Sequence, residues 1–159
     1  MDLQIRAVGG ADRDAVVRLL RDSWGSTIVI AHGVAYRADE LPGLVASRDG
    51  TMAGLLTYHV DGDSLEVVTL DAVVRHAGVG SALLAAAVGV AREAGLTRIW
   101  LVTSNDNLDA LRFYQRRGLR VTAVAPGAVD TARGLKPQIP LTGAYGIPLR
   151  DELTLELRL

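Results

Sequence analysis

The alternation of apolar and polar positions divides the chain into short strands and amphipathic helices. Leu3 to Val8 reads as a first strand. Asp12 or Asp14 is placed to cap the helix that follows, because a carboxylate there accepts backbone N–H groups without a helical partner. Val16, Val17, Leu19, Leu20 and Trp24 fall on one broad face of that helix. Residues 25–42 carry an apolar run, TIVIAHG, and then polar YRADELP, which predicts a short irregular helix and a loop. Turn signals at Asp49-Gly50 and Asp61-Gly62 then separate three antiparallel strands, roughly 43–48, 52–60 and 64–70.

From Gly78 to Ala94 the spacing changes to that of a helix. Leu83, Leu84, Ala87, Val88 and Ala91 make one apolar stripe, and Gly95 is suited to end it. TRIWLVTSN is a buried strand, Asn107 to Arg117 an amphipathic helix stopped by Gly118, and LRVTAVA a further strand. Residues 126–151 form a long connection with four of the five prolines, Pro126, Pro137, Pro140 and Pro148. Proline has no N–H for a sheet ladder, and loops this long are often functional. Ile139, Leu141, Tyr145 and Ile147 argue that it is ordered, since disordered segments are poor in such groups. ELTLELRL alternates with period 2 and is the final strand.

This order predicts a single α/β domain over residues 1–159, with a mixed, mostly antiparallel central sheet of about seven strands and about four flanking helices. The strands before and after the 78–94 helix are expected to be parallel neighbours. A net charge of −1 gives no basic footprint for nucleic acid. There is no cysteine, and His32, His59 and His76 show no metal-ligand spacing, so no metal is expected. No leader-like or membrane-length apolar run is read, and the cytoplasm is the default location. Of 17 basic residues only Lys136 is lysine, a bias from which no function follows.

The candidate chemistry begins at VVRHAGVGSALLAAAV, Val73 to Val88. A strand feeding a helix through Gly-x-Gly presents unpaired N–H groups and the positive end of the helix dipole to an anion. The same hexapeptide, Arg75 to Gly80, is also an ordinary tight strand-to-helix turn. It lacks the third glycine of a dinucleotide fingerprint and the Gly-Lys-Ser/Thr of a P-loop. A companion segment follows in TSNDNLDALRFYQRRGL, where Asn107, Ala110 and Tyr114 share one helical face.

Arg-x-x-Gly-x-Gly, followed 27 residues after Gly80 by Asn-x-x-Ala-x-x-Phe-Tyr-x-x-x-Gly, resembles the GCN5-related N-acetyltransferase superfamily over essentially the whole chain. The resemblance implies acetyl-CoA as acyl donor, held in a V-shaped gap between parallel strands near 64–70 and 98–104. It implies that the backbone of Val68, Thr69 and Leu70 pairs with pantetheine. Arg75, His76, Ala77, Gly78, Val79, Gly80 and Ser81 would serve the pyrophosphate. Asn107, beside Ala110, would contact the pantetheine arm, and Tyr114 would lie near the thioester sulfur.

Acetyl transfer to an amine needs a neutral amine, a polarised carbonyl and a proton for the departing thiolate. The N–H of Leu70 is a candidate oxyanion donor. Tyr114 is the candidate general acid, because a phenol of pKa about 10 is nearly matched to a thiol leaving group. Many relatives use a glutamate on a central strand as base. Alternation puts Glu66, Val68 and Leu70 on one face, and a carboxylate among valines and leucines is costly to bury unpaired. Glu66 is therefore the candidate base, with Asp71 second. Trp24, His32 and Tyr145 are the candidate acceptor-binding residues, with Tyr36 and Asp130 as further walls; His59 reads as a strand-edge residue. The expected partners are acetyl-CoA and an amine. Dimers are common in the superfamily, which makes a homodimer an expectation too. The alternative function is a non-catalytic acyl-CoA-binding or sensor protein on the same fold. A nucleotide-binding protein using the glycine turn alone is a distant third.

Overall fold

The apolar periodicities fold into nine strands and four α-helices in a computed structural model, which describes residues 2–75 and 77–159. The strands are β1 (Gln4–Ala7), β2 (Ile28–Ala31), β3 (Val34–Arg37), β4 (Gly43–Arg48), β5 (Thr51–Asp61), β6 (Ser64–Ala72), β7 (Arg98–Ser104), β8 (Arg120–Ala125) and β9 (Glu152–Arg158). The helices are α1 (Arg13–Trp24), α2 (Val79–Glu93), α3 (Leu108–Arg116) and α4 (Ala128–Ala132). Seven strands form one mixed, mostly antiparallel sheet in the order β1-β4-β5-β6-β7-β9-β8, with β6 and β7 as the parallel pair. No helix among the described residues is long and apolar enough to cross a membrane.

The chain divides into two compact units. One holds the chain up to Val29, Arg37–Ile99 and Leu159; the other holds Ile30–Tyr36 and Trp100–Arg158. In the first, β1, β4, β5 and β6 are antiparallel neighbours around a core that includes Leu20, Val45, Leu55, Leu56, Leu65, Leu83 and Ile99. Arg6 and Asp12 tie β1 to the turn before α1 through two 2.6 Å contacts, and Asp12 also accepts from the Gly9 N–H. These bonds hold the Asp12 carboxyl down to about 2. Asp12 therefore serves this turn and makes no side-chain cap on α1, contrary to the capping expected of it.

Helix α2 packs its stripe of Val79, Leu83, Leu84, Ala87 and Ala91 over β4, β5 and β6. Its first turn sits against Gly54 of β5. A Cβ there would lie 2.6 Å from Val79 Cγ1 and 2.8 Å from the Asp71 carbonyl oxygen. Only the smallest residue lets the helix start so close to the sheet.

Two sequence expectations change. Residues 25–42 are not an irregular helix and loop but the β2–β3 hairpin, followed by a 3₁₀ turn at Ala38–Glu40. The β-branched run favours strand, and His32-Gly33, with φ of 41° and 79°, supplies the two positive angles of a two-residue hairpin turn. The 126–151 connection is ordered, and it buries Val129, Ala132 and Leu149 rather than Leu141 and Tyr145. Leu141 and Tyr145 are 75% and 68% exposed. Arg133 holds the segment as well. Its guanidinium donates to the carbonyls of Ile139, Pro140 and Leu149 at 3.2, 2.5 and 2.6 Å and to Asp130 at 2.6 Å. One planar cation thus replaces a ladder that the prolines could not form.

Gly54→Ala is expected to lower stability by about 1–3 kcal/mol through overpacking against α2, read by chemical denaturation. Arg133→Met keeps the aliphatic stem and removes the hydrogen bonds. It is expected to cost about 1.5–3 kcal/mol and to open residues 126–151 to limited proteolysis before the rest of the chain.

Candidate active site

In the first unit, β6 runs into the glycine turn and α2. Val73 and Val74 are exposed, as is Arg75, and Gly78 takes the left-handed conformation, φ 78°, at the N-cap of α2. Among the described residues no side chain caps that end. The first-turn N–H groups of an α-helix lack intrahelical acceptors, and in α2 this first turn begins with Val79 and Gly80. Val79 is buried beneath Gly54, which fixes where this end lies on its unit. His76 lies outside the described residues.

The polar groups of β6 are arranged differently from the alternating expectation. The register with β5 runs Leu55↔Asp71, Leu56↔Leu70, Thr57↔Thr69, then Tyr58↔Val67 and His59↔Glu66. Val68 is the extra residue of a β-bulge, and the period-2 pattern breaks there. Directly opposite residues share a face, so Glu66 lies with Thr69 and Asp71, not with Val68 and Leu70 as alternation suggested. Thr57 and His59 complete that face. Thr57 and Thr69 hydroxyls are hydrogen-bonded at 2.7 Å, and Glu66 is buried, 2% exposed. His59, half-buried on β5 directly across from Glu66, is part of this polar face rather than a strand-edge residue.

Asp71 closes the face at its far end. It accepts the indole N–H of Trp24 at 2.8 Å, joining the end of α1 to β6. Burial raises the Asp71 carboxyl above the ordinary carboxylate range, and hydrogen bonds from Trp24 and Ser23 pull it part of the way back. Trp24, 37% exposed, therefore reaches this unit's polar face, and Asp71 joins Glu66 on it.

In the second unit, Asn107 is the N-cap of α3. Its Oδ1 accepts from the Ala110 N–H at 3.2 Å and its Nδ2 donates to Thr103 Oγ1 at 3.3 Å. Tyr114 lies two turns on, buried, with Phe113 edge-on to its ring. The preceding turn anchors the 126–151 segment. Asn105 accepts from the N–H groups of Arg150 and Asp151 and donates to the Pro148 carbonyl. Asp106 accepts from Ser104 and from the Ala144 N–H. Tyr145, at φ 58°, donates to Asp109 of α3 at 2.5 Å. Asn105 and Asp106 escaped sequence reasoning. Their signal was the Asx-rich run SNDN after a strand, where such side chains satisfy loop backbone.

The acceptor candidates do not all meet. His32 and Tyr36 come together, and Trp100 joins them. Tyr145 belongs to the N-terminal end of α3 through Asp109. Asp130 is a clamp for Arg133.

Because folded Asp71 keeps its proton to higher pH than the unfolded chain does, its contribution to stability is full below the unfolded carboxylate value. It is lost as pH rises through the folded one. Asp71→Asn is thus expected to gain stability relative to the parent as pH is raised from about 4 to about 8, in a series of thermal melts. Trp24→Phe, which removes a bond that favours the ionised form, is expected to move the parent's transition to higher pH.

Known proteins resemble this chain in sequence and in fold. Residues 13–119 match the acetyltransferase (GNAT) family. The chain is 41% identical over 144 residues to the uncharacterized protein YxbD of Bacillus subtilis (strain 168), covering 90% of this chain and 91% of that one. Among solved structures it is similar to an IAA acetyltransferase from Bacillus cereus ATCC 14579, with TM-score 0.78, 20% identity and coverage of 99% and 100%. It is also similar to a Bacillus subtilis acetyltransferase in complex with CoA, with TM-score 0.73, 19% identity and 99% of each chain covered. With two thirds of its length matched by the family and a relative of that identity along nearly all of it, the chain belongs to the GNAT acetyltransferase family.

Proposed function

We propose that this chain, as one domain over residues 1–159, transfers the acetyl group of acetyl-CoA to a primary amine of a small molecule or peptide. Acetyl transfer from acetyl-CoA is the family's chemistry; the amine and the residue roles are the proposal. The observation that carries it is the start of α2. A left-handed glycine at the N-cap, no side-chain cap among the described residues, and a further glycine at position 80 open α2 with backbone N–H groups that have no intrahelical acceptor. Such a cradle suits a pyrophosphate. Arg75 adds a positive charge to the same turn, and His76 and Ala77 belong to it by sequence.

In this reading the backbone of Val68, Thr69 and Leu70 lies along the pantetheine arm, and the Leu70 N–H polarises the thioester carbonyl. Asn107 keeps one amide N–H and one oxygen lone pair beyond its bonds to Ala110 and Thr103, enough to orient an amide group. Ala110, small and on the same face, leaves room beside it. Glu66 takes one proton from the ammonium, so that the neutral nitrogen forms a bond to the acyl carbon as the carbon–sulfur bond breaks, and the second nitrogen proton is then lost to solvent to leave the amide. Tyr114 gives its proton to the departing thiolate. Burial of Glu66 beside Thr57, Thr69 and His59 supports its place as base over a surface carboxylate. Trp24, His32 and Tyr145 serve the acceptor. The same reading needs no metal, nucleic acid or membrane, places the protein in the cytoplasm, and allows a homodimer.

Acetyl-CoA or CoA is expected to stabilise the protein in a thermal-shift titration, by about 2.7 kcal/mol at one hundred times its Kd. The absence of any shift would sink the reading. Tyr114→Phe is expected to lower kcat by about 10²–10⁴-fold in a CoA-release assay while leaving the thermal shift by CoA nearly unchanged. Unchanged turnover would remove Tyr114 from the chemistry. If no amine releases CoA although CoA binds, the non-catalytic alternative takes over.

A further inference from the structure

We propose that His59 is a positioning residue for the base Glu66: it takes from Glu66 the proton that the acceptor amine has given up and passes it to solvent. The proposal rests on the acetyltransferase reading with Glu66 as base, and adds the path by which that base is reset between turnovers.

The need for a path comes from burial. Glu66, on β6, is 2% exposed. A base that accepts a proton in each turnover has to lose it before the next one. A carboxyl with so little surface has almost no water to give it to, so a neighbouring group must carry the proton out.

The register supplies that neighbour. His59 of β5 is the direct partner of Glu66. Side chains so paired on antiparallel strands share a face, with Cβ atoms about 4.5–5.5 Å apart, a span that a carboxylate and an imidazole bridge. The row they belong to is polar and leads outward. Thr57 faces Thr69, their hydroxyls 2.7 Å apart, then His59 faces Glu66, then Asp61 faces Ser64. Along β5 exposure rises in the same order: Thr57 is buried, His59 half-buried and Asp61 exposed. Asp71, the other carboxyl of this face, is separated from Glu66 by the Thr57–Thr69 pair, and it accepts the Trp24 indole N–H at 2.8 Å. The short way from Glu66 to the surface therefore passes His59.

The chemistry fits the order of the groups. An imidazole ordinarily binds a proton about a hundredfold more tightly than a carboxylate does, so a carboxylic acid beside an imidazole gives its proton up readily. An imidazolium in turn exchanges with water near neutral pH. In the relay the O–H bond of protonated Glu66 breaks as an N–H bond forms on the His59 ring, and the imidazolium then loses one proton to water. Glu66 ends as the anion and His59 neutral, as both began. Among the described residues, the charged groups facing His59 are Glu66 on β6 and Asp61 two residues on along β5. The pairing of β4 with β5 stops at Gly43 and Thr57, short of His59, and α2 packs on the opposite face, over Gly54.

The test follows CoA release over a panel of alkylamines, amino acid amides and short peptides, with the best acceptor carried forward. His59→Ala is expected to lower kcat at least about tenfold, while the thermal shift by CoA is kept and the KM for the amine changes less than about twofold. His59→Gln, which keeps a hydrogen-bonding side chain but no base, should lose as much. Added imidazole should restore turnover to His59→Ala. The stronger base 4-methylimidazole should restore more, and pyrazole, of imidazole's size but barely basic, none. In a Glu66→Gln background His59→Ala should cost nothing further and imidazole should restore nothing, since no proton arrives to be carried. Parental turnover in His59→Gln, rescue by pyrazole equal to that by imidazole, or losses that multiply in the double variant each overturn the relay and leave the acetyltransferase standing. Parental turnover in Glu66→Gln removes the base, and the relay with it. If CoA shifts the melt but no amine releases it from acetyl-CoA, the acetyltransferase reading itself falls and takes the relay with it.

Discussion

One extra residue in β6 decides which side chains of the first unit share a face. At Val68 the pairing with β5 slips by one, and every side chain beyond it changes face relative to strict alternation. Without that bulge Glu66 would share a face with Leu70, on the side against which α2 packs through Gly54 and Leu56. With it, Glu66, Thr69 and Asp71 stand in one row opposite His59, Thr57 and Leu55. Each polar group then has a polar neighbour, which is the condition for burying it at all. The Thr57–Thr69 hydrogen bond lies between the two carboxylates in that row, and Trp24 reaches it from α1.

The other face of the same strands carries a different constraint. Gly54 lets Val79 descend almost to the backbone of β5, and this sets the height at which α2 begins. The turn between β6 and α2 therefore has little freedom at its helical end. A packed valine at the first helical position holds the backbone of that first turn in place.

The second unit is organised by polar groups. Asn105, Asp106, Asp109 and Asp151 at or near the turn into α3 and the start of β9 bind the backbone or side chains of residues 127–151, and Arg133 gathers carbonyls from within that segment. Asn107 bonds to α3 and Thr103 instead. A proline-rich connection has few N–H groups for a ladder, so its carbonyls are met by side chains instead. The consequence is an ordered segment that leaves Leu141 and Tyr145 at the surface.

By itself the sequence determined the elements outside 25–42 and 126–151, with bounds to within a residue or two, and the two glycine- and asparagine-marked turns, but not the β2–β3 hairpin or α4. The parts it determined depend on local periodicity and on residues suited to left-handed or capping positions. It also singled out Glu66, Asp71, Trp24, His32 and Tyr114. Only the tertiary structure decided what these residues face. The bulge at Val68 has no local signature in SLEVVTLDA, because it is a property of the pairing with β5. The hairpin at 28–37 competes with a helix on pattern alone, and its turn required a histidine in an unfavourable conformation. The meeting of His32 with Trp100 and Glu152 joins residues 68 and 120 positions away from it along the chain, a distance over which no periodicity carries information.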